Sequence, residues 1–329
     1  MDNLLTLSLS ISIWFQQLGD WLYPVMKGIT FLGNEEFYLF IMPVLYWCVD
    51  QALGIRIGML LLISGGTNFL LKLLFHSPRP YWYSSQVKNI ISASSYGFPS
   101  GHAQNASSLW GYVAVRTKQR WLRYLLILII LLIGISRIIL GVHFAHDVIV
   151  GWVTGLIILI LFTRWEPSIR SWFLKQSSRR QIFVSFLSSL AWIVFGLIFA
   201  SPFLQGRIPL AWIQNTQGEL DPLNLDGIIT ISGVWCGLLS GRILLTSQGG
   251  FTTKGPLGQL MIRFLMGIFG VVLIWWGLDL YSPEANFSLL LTLRYIRYLC
   301  VGLWISFGAP WLFTHLGLAA KKAQAIEDF

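Results

Sequence analysis

Long apolar runs dominate this sequence and decide what it can fold into. About nine stretches carry few charges over the roughly 20 residues that a helix needs to cross the hydrocarbon core of a bilayer. The chain has 329 residues, of which 55% are hydrophobic and 11% charged, whereas soluble domains carry about 25% charged residues. We therefore predict an all-α, polytopic bundle of transmembrane helices and exclude an ordinary soluble fold.

The apolar pattern also predicts where the helices lie. The predicted spans are residues 37–50, 55–75, 102–118, 121–141, 144–163, 181–201, 228–246, 259–280 and 289–313. The first and third of these are short or polar. Residues 5–31 mix Trp and Phe with Gln, Asp and Lys, which predicts an amphipathic N-terminal helix lying in the membrane interface. A tenth span with one polar face is the alternative for this segment.

Positive charges cluster in alternate loops between the predicted spans. The net charge is +9, and basic loops at 116–123 and 164–180 alternate with acidic loops at 35–36 and 219–226. Because loops rich in Lys and Arg stay in the cytoplasm, this pattern indicates membrane orientation rather than nucleic-acid binding. The chain is thus expected in a plasma or inner membrane, with the polar stretches described below on its extracytoplasmic side.

The composition divides the chain after residue 165. Residues 1–165 hold the polar stretches and the interfacial helix, while residues 166–329 form a C-terminal transmembrane extension without candidate site residues. Within this extension Gly233, Gly237 and Gly241 recur every four residues, which predicts a helix-packing face. The three cysteines show no ligand spacing, so we expect neither a disulfide framework nor a zinc site.

The first polar stretch, KLLFHSPRP at residues 72–80, follows an apolar run. Lys72 and Arg79 are seven residues apart, and the prolines beside Arg79 predict that the helix ends near His76. Arg79 stands between Pro78 and Pro80, which favours a fixed guanidinium fork suited to two phosphate oxygens. The alternative is a pair of cations that snorkel at the end of a span.

The second stretch, PSGH, opens the third predicted span. Ser100 offers a hydroxyl cap at a helix start, and Gly101 lets backbone amides approach an anion at that helix end. His102 would then lie beside the bound anion. Four polar residues follow in the next two turns, and polar side chains at membrane depth face a cavity or the bundle interior. A plain helix cap is the alternative.

The third stretch, SRIILGVHFAHD, covers residues 136–147. Arg137 ends an apolar span, where an unpaired cation is costly. His143 and Asp147 are four residues apart, which predicts that they share one helix face. A carboxylate beside an imidazole fixes its tautomer and leaves the other ring nitrogen able to attack. Together with the other two stretches, this inventory predicts a site that binds a phosphate and transfers it to an imidazole.

The three stretches match the signature K-x6-RP, PSGH and SR-x5-H-x3-D, by which residues 30–165 resemble the type-2 phosphatidic acid phosphatase superfamily. A weaker likeness to the glucose-6-phosphatase branch lies in the nine-span plan and the RPYW sequence. The resemblance implies that His143 is the nucleophile, that Asp147 orients it, and that His102 is first general acid and then general base. It implies that the phosphoryl oxygens are held by Lys72, Arg79, Ser100, Gly101 and Arg137.

The resemblance also implies the reaction, a metal-independent hydrolysis of a phosphoric monoester or diphosphate through a phosphohistidine. No cofactor and no metal are expected, because the sequence shows no carboxylate cluster that would hold magnesium. The expected partners are an amphiphilic phosphate substrate and membrane lipid, without nucleic acid, and a homodimer is compatible with the sequence. The alternatives are a sugar-phosphate phosphatase of the glucose-6-phosphatase type and a non-catalytic lipid-binding or transport protein.

Overall fold

All regular structure in the computed structural model is helical; the model describes residues 2–201, 208–216, 220–221, 223–279 and 287–321, and no strand occurs among them. The helices are α1 (Asp2–Gln17), α2 (Leu22–Phe31), α3 (Glu35–Val44), α4 (Gln51–Phe75), α5 (Pro80–Tyr83), α6 (Gly101–Asn105), α7 (Gly111–Arg116), α8 (Arg120–Ile139), α9 (Ala145–Leu174), α10 (Ser178–Ala200), α11 (Leu210–Asn215), α12 (Asp226–Ser247), α13 (Leu257–Asp279), α14 (Phe287–Leu303) and α15 (Ala309–His315). Short π-helical turns continue α3, α6 and α14, at Leu45–Val49, Ala106–Trp110 and Trp304–Gly308. The all-α prediction is confirmed for the described residues.

Seven helical stretches are long and apolar enough to cross a bilayer, judged by length and composition within the described ranges. They are Gln51–Tyr83, Arg120–Ile139, Ala145–Leu174, Ser178–Ala200, Asp226–Ser247, Leu257–Leu278 and Ser288–His315. These stretches carry many exposed apolar side chains, among them Ile160 and Phe269, as lipid-facing helices do. The chain is therefore an integral membrane protein.

Two of the nine predicted spans have shorter helices. The first corresponds to the apolar helix Phe37–Val49, and the third to the continuous helical residues 101–116 formed by α6, its π-helical turn and α7. At a rise of 1.5 Å per residue these helices reach about 20 and 24 Å, short of the roughly 30 Å hydrocarbon core. The count of nine spans therefore stays a prediction.

The N-terminal segment is two helices rather than one. The chain leaves α1 after Gln17 and turns at Gly19, whose φ of +117° is unfavourable for other residues. It then forms α2 from Leu22. The prediction of one continuous amphipathic helix over residues 5–31 is wrong, because the sequence pattern gives no sign of the break between the two helices. Its location in the interface, and the alternative of a tenth span, stay predictions.

The chain divides into two compact units, each assembled from separate stretches. The first contains Met1–Tyr38, Ile63–Trp165 and Gly196–Asn224. The second contains Leu39–Leu62, Glu166–Phe195 and Leu225–Phe329. The functional division into residues 1–165 and 166–329 stays a prediction, and the last eight residues of the second part lie outside the described residues.

The core of the first unit packs around two loops, one between α4 and α6 and one between α8 and α9. Its buried members are Met26, Tyr81, Trp82, Val87, Tyr96, Ile139, Leu140 and Val142. Large aromatic side chains bury much apolar surface and restrict their neighbours. Both loops carry predicted site residues, so this packing fixes the backbone from which those residues project.

The polar run that begins at α6 is buried against α4. Asn68 Nδ2 donates to Gln104 Oε1 at 3.0 Å, and Gln104 Nε2 donates to the carbonyl oxygen of Ser64 at 2.6 Å. The Ser64 hydroxyl in turn donates to Asn105 Oδ1 at 2.7 Å. The expectation that these polar side chains face the bundle interior is confirmed, because buried polar groups need such partners.

In the second unit, the glycine stripe of α12 lies against α14. A Cβ at Gly233 would come within 2.6 Å of the carbonyl oxygen of Tyr295, and one at Gly237 would overlap the carbonyl oxygen of Leu299. At Gly241 the obstacle would be the hydroxyl of Ser306, in the π-helical turn after α14. The predicted packing face is confirmed, because only glycine permits this backbone approach.

Candidate active site

The three polar stretches meet at one cavity of about 440 Å³ within the first unit. Six of the eight predicted site residues line it, namely Lys72, Arg79, Gly101, His102, Arg137 and His143. The other two, Ser100 and Asp147, are fully buried and contact residues of the cavity wall. The volume is typical of a small-molecule site. The structure thus brings together residues that are up to 75 positions apart in the sequence.

Arg79 is held rigidly at the cavity wall. Its side chain is 3% exposed, and its Nε and Nη1 donate to the carbonyl oxygens of Ser95 and Val142 at 2.7 and 3.0 Å. Lys72, in the last turn of α4, shares a partner with it. The Ser95 hydroxyl accepts from Lys72 Nζ at 3.2 Å and from Arg79 Nη2 at 3.1 Å. One hydroxyl therefore gathers both cations at a single point.

The PSGH stretch starts α6 as predicted. The Ser100 hydroxyl accepts from the backbone nitrogen of Ala103 at 3.5 Å, and the Ser100 nitrogen donates to the carbonyl oxygen of Asp147 at 3.0 Å. A Cβ at Gly101 would stand 2.9 Å from Asn68 Oδ1, which is closer than such contacts allow. The helix start is therefore tied both to α9 and to α4.

Replacing Gly101 with alanine should reduce activity without unfolding the protein. We expect kcat/KM for phosphate release to fall about 10- to 100-fold, because the added Cβ would shift the backbone that lines the cavity by a fraction of an ångström. The measurement is steady-state kinetics on purified protein. Gly28→Ala is the matched control, since a Cβ there meets nothing within 4 Å. Equal activity of the two variants would contradict this role of Gly101.

His143 lies in the turn before α9 rather than on the helix with Asp147. The chain turns at Gly141, whose φ is +75°, and α9 begins at Ala145. Asp147 Oδ2 accepts from the backbone nitrogen of Phe144 at 2.8 Å and lies 3.5 Å from His143 Nδ1. The prediction of a shared helix face is wrong, because the spacing spans a helix start, but the predicted juxtaposition of the two groups is confirmed.

The environment of His143 fixes which ring nitrogen can attack. Arg79 Nη1 lies 3.4 Å from His143 Nε2, and because a guanidinium can only donate, Nε2 must carry the lone pair. The proton is then on Nδ1, on the side of Asp147. Burial, followed by the nearby positive charges of Arg79 and Arg137, lowers the pKa of His143 well below its ordinary value. The resting imidazole is therefore neutral, as a nucleophile must be.

Two partners from the α2 segment complete the site. Arg137 is 5% exposed, and its Nη1 donates to Thr30 Oγ1 at 2.7 Å. His102 Nε2 lies 2.9 Å from Asn34 Oδ1. Neither Thr30 nor Asn34 is among the site residues predicted from the sequence. Their only signal is a pair of polar residues four positions apart at the end of an amphipathic segment, which is too common to single out.

The remaining two histidines of this unit play other parts. His146 Nε2 lies 3.2 Å from Asp147 Oδ1, its Nδ1 lies 2.8 Å from the Ser8 hydroxyl, and its ring stacks on Phe144. His146 therefore supports Asp147 from behind the cavity. The ring of His76 packs edge-on against Tyr96, and His76 is not among the cavity-lining residues.

The charges of the cavity suit an anion. Four cationic side chains, those of Lys27, Lys72, Arg79 and Arg137, line it with two imidazoles, and its lining includes no carboxylate. Within the described ranges, no group of three or more His, Cys, Asp or Glu side chains could hold a metal ion. Cations fixed in a sheltered site can bind a phosphate group. A neutral imidazole beside them, with an available lone pair, can accept that group covalently.

Two sequence profiles match the chain. The profile of the PAP2 superfamily matches residues 53–171, which include all three motifs. A second profile, the transmembrane extension of PAP2 superfamily phosphatases, matches residues 229–322. A solved structure, that of the first transmembrane PAP2-type phosphatidylglycerolphosphate phosphatase from Bacillus subtilis, shares 26% identity. The match covers 51% of this chain and 89% of the solved chain, with a TM-score of 0.45.

Curated phosphatases are also similar to this chain. Glucose-6-phosphatase 3 from Homo sapiens is 30% identical over 195 residues, so that 52% of this chain spans 56% of the human protein. The Bos taurus protein of that name is 26% identical over 368 residues, covering all of both chains. Phosphatidylglycerophosphatase B from Bacillus subtilis is 31% identical over 163 residues, covering 46% of this chain and 78% of that protein. These matches confirm the resemblance stated above, and the chain belongs to the PAP2 superfamily.

Proposed function

We propose that this protein is a metal-independent membrane phosphatase that hydrolyses a lipid phosphate monoester or diphosphate through a phosphohistidine intermediate. The observation that supports it most is the convergence of His143 and His102 with the side chains of Lys72, Arg79 and Arg137 on one cavity. Phosphoryl transfer depends mainly on positioning and on stabilising charge. These residues offer both.

The cations would hold the phosphoryl oxygens. Arg79 and Lys72 already converge on the Ser95 hydroxyl, and a phosphoryl oxygen could replace that hydroxyl as their common partner. The buried Nε of Arg137 has no hydrogen-bond partner among the described residues, so it can donate to the substrate. The backbone at Ser100 and Gly101, where α6 begins, would supply amide donors to the same group.

In the first step, the lone pair of His143 Nε2 would form a bond to phosphorus. The ester P–O bond breaks and its electron pair stays on the leaving oxygen. His102, protonated on both ring nitrogens before this step, gives that oxygen a proton and becomes neutral. The His143 ring becomes positively charged, and the carboxylate of Asp147, 3.5 Å from Nδ1, stabilises it. This contact is expected to shorten into a hydrogen bond as the charge develops, as catalytic contacts commonly do.

In the second step, water would hydrolyse the phosphohistidine. His102, now neutral, takes a proton from the water as its oxygen attacks phosphorus. The N–P bond breaks, its electron pair returns to His143 Nε2, and inorganic phosphate leaves. Both histidines end in their starting states, so one ester and one water give one alcohol and one phosphate. No metal is needed, because the three cations neutralise the phosphoryl charge.

The cavity lining favours an amphiphilic substrate. Phe31, Phe69 and Ile91 line it together with the charged residues, so an acyl or prenyl chain has apolar surface beside the phosphate site. The similarity to phosphatidylglycerophosphatase B agrees with a lipid phosphate. A soluble sugar phosphate is the second candidate, because the similarity to bovine glucose-6-phosphatase 3 extends along both entire chains.

A substrate panel tests the proposal. Purified protein should release phosphate from phosphatidic acid, phosphatidylglycerol phosphate or a polyprenyl diphosphate in the presence of EDTA, at a rate unchanged by the chelator. Glucose 6-phosphate in the same assay distinguishes the second candidate. Activity that vanishes with EDTA and returns with magnesium would refute the metal-independent mechanism, and no release from any of these esters would refute the phosphatase itself.

We also propose that the site opens on the extracytoplasmic side. The sequence assigns the basic loops to the cytoplasm, and these loops alternate with those that carry the site residues. The same assay decides this when a membrane-impermeant phosphate ester is added to sealed vesicles of known orientation. Right-side-out vesicles should hydrolyse it without detergent. Hydrolysis only in inverted vesicles would place the site on the cytoplasmic side.

A further inference from the structure

A turn outside the three motifs lies against the ring of His102. Asn34 follows α2, and its Oδ1 is 2.9 Å from His102 Nε2. A Cβ added to the neighbouring Gly33 would come within 3.2 Å of His102 Cδ2, so the backbone of the turn also approaches the ring closely. The PAP2 profile begins at residue 53. The match to the superfamily therefore assigns nothing to this turn.

The turn is fixed on both sides. Backbone hydrogen bonds of 2.9 to 3.2 Å close residues 32–34 onto the end of α2. Trp110 Nε1 donates to the carbonyl oxygen of Leu32 at 3.2 Å, and Arg137 Nη1 donates to Thr30 Oγ1 at 2.7 Å. Asn34 is thus presented to His102 from a backbone anchored to two other elements, which is what orienting a catalytic side chain requires.

The two histidines of the cavity have different partners. His143 faces the carboxylate of Asp147, whereas His102 faces the neutral amide of Asn34. The charged groups that share the cavity with His102 are cations, together with the imidazole of His143. An amide oxygen accepts a hydrogen bond from the N–H at Nε2 and so orients the ring. It does not hold the ring in its cationic form as a carboxylate would. Such a partner leaves both the cationic and the neutral form of the ring accessible to a group that first gives and then takes a proton.

We propose that Asn34 is the positioning residue for the acid–base histidine, and that its neutral amide lets His102 serve both steps of the reaction. The proposal rests on the proposed function, because it assigns Asn34 to the proton transfers of that mechanism. Asn34 touches no reacting atom in this scheme; it acts through His102.

The first test compares two phosphate esters. Octyl phosphate needs a proton on its leaving oxygen, whereas p-nitrophenyl phosphate has a leaving group that departs without one. In Asn34→Leu, kcat/KM for octyl phosphate should fall about 10- to 100-fold, since positioned acid catalysis is worth about 10²- to 10⁴-fold, while that for p-nitrophenyl phosphate should change less than about threefold. A purely structural role would lower both values equally, which would overturn the proposal.

The second test uses Asn34→Asp, which keeps the size of the side chain. A carboxylate at this position should hold His102 protonated, so that the first step proceeds and the second becomes slow. The phosphohistidine should then accumulate, visible as a burst of p-nitrophenol and as radiolabel retained on the protein after quenching in alkali. Steady-state release without a burst, at the wild-type rate, would contradict the proposed role of the neutral amide.

Asn224→Leu is the control, because it removes an amide of the same kind from a residue of the same unit that does not line the cavity. It should leave both kcat/KM values unchanged. The proposed function and the role of Asn34 can fail separately. A wild-type protein that is inactive on both esters would refute the proposed function. Equal losses on both esters in Asn34→Leu, measured against an active wild type, would refute only the role of Asn34.

Discussion

Replacing His143 with alanine should abolish phosphate release. We expect kcat to fall by about 10⁴-fold or more, because removal of a nucleophile leaves only the binding and charge stabilisation that the rest of the site supplies. His143 is 2% exposed, and its Nδ1 lies 3.5 Å from the carboxylate of Asp147. Radiolabelled substrate should also leave no alkali-stable phosphate on the variant protein.

His315→Ala is the matched control for this substitution. His315 is exposed at the end of α15 in the second unit, where its Nδ1 lies 2.8 Å from the carbonyl oxygen of Trp311. The control should keep the wild-type rate and the covalent label. If His143→Ala retained a tenth of the wild-type activity, or was labelled as strongly, the phosphohistidine mechanism would be wrong.

The motifs could be predicted from the sequence because each consists of neighbouring residues whose chemistry is costly in an apolar chain. Arg79 between two prolines, or Arg137 at the end of a span, stands out against its surroundings. The convergence of the three stretches was likewise predictable, because two successive spans return the chain to the side of the membrane from which it started. The structure places Arg79, His102 and His143 on one cavity.

Features that depend on tertiary contacts were not predictable. Thr30 and Asn34 acquire their roles only because α2 ends against Arg137 and His102. The position of His143 before α9 depends on a turn at Gly141, which a spacing of four residues cannot distinguish from a helix. The same limit explains the missed break at Gly19, because a single glycine interrupts a helix only where the chain uses a positive φ.

Replacing Asp147 with asparagine should nearly abolish catalysis while leaving the fold intact. Asp147 is fully buried, and an amide oxygen can still accept from the backbone nitrogen of Phe144 as Oδ2 does now. The negative charge that stabilises the phosphorylated, positively charged ring of His143 is lost. By comparison with carboxylate–histidine pairs in other enzymes, kcat should fall about 10²- to 10⁴-fold with little change in KM.

Asp20→Asn provides the same chemical change at a surface position of the same unit. Asp20 pairs with Lys88 at 3.0 Å, and both side chains are more than half exposed, so solvent screening leaves the pair little effect on stability. Its kcat should match that of the wild type. Because a merely structural Asp147 would lower the unfolding temperature in step with activity, Asp147→Asn is measured for both. A variant with a lowered unfolding temperature but a normal turnover rate while folded would show that His143 needs no carboxylate. The proposed contrast between an acidic partner for His143 and a neutral partner for His102 would then be wrong as well.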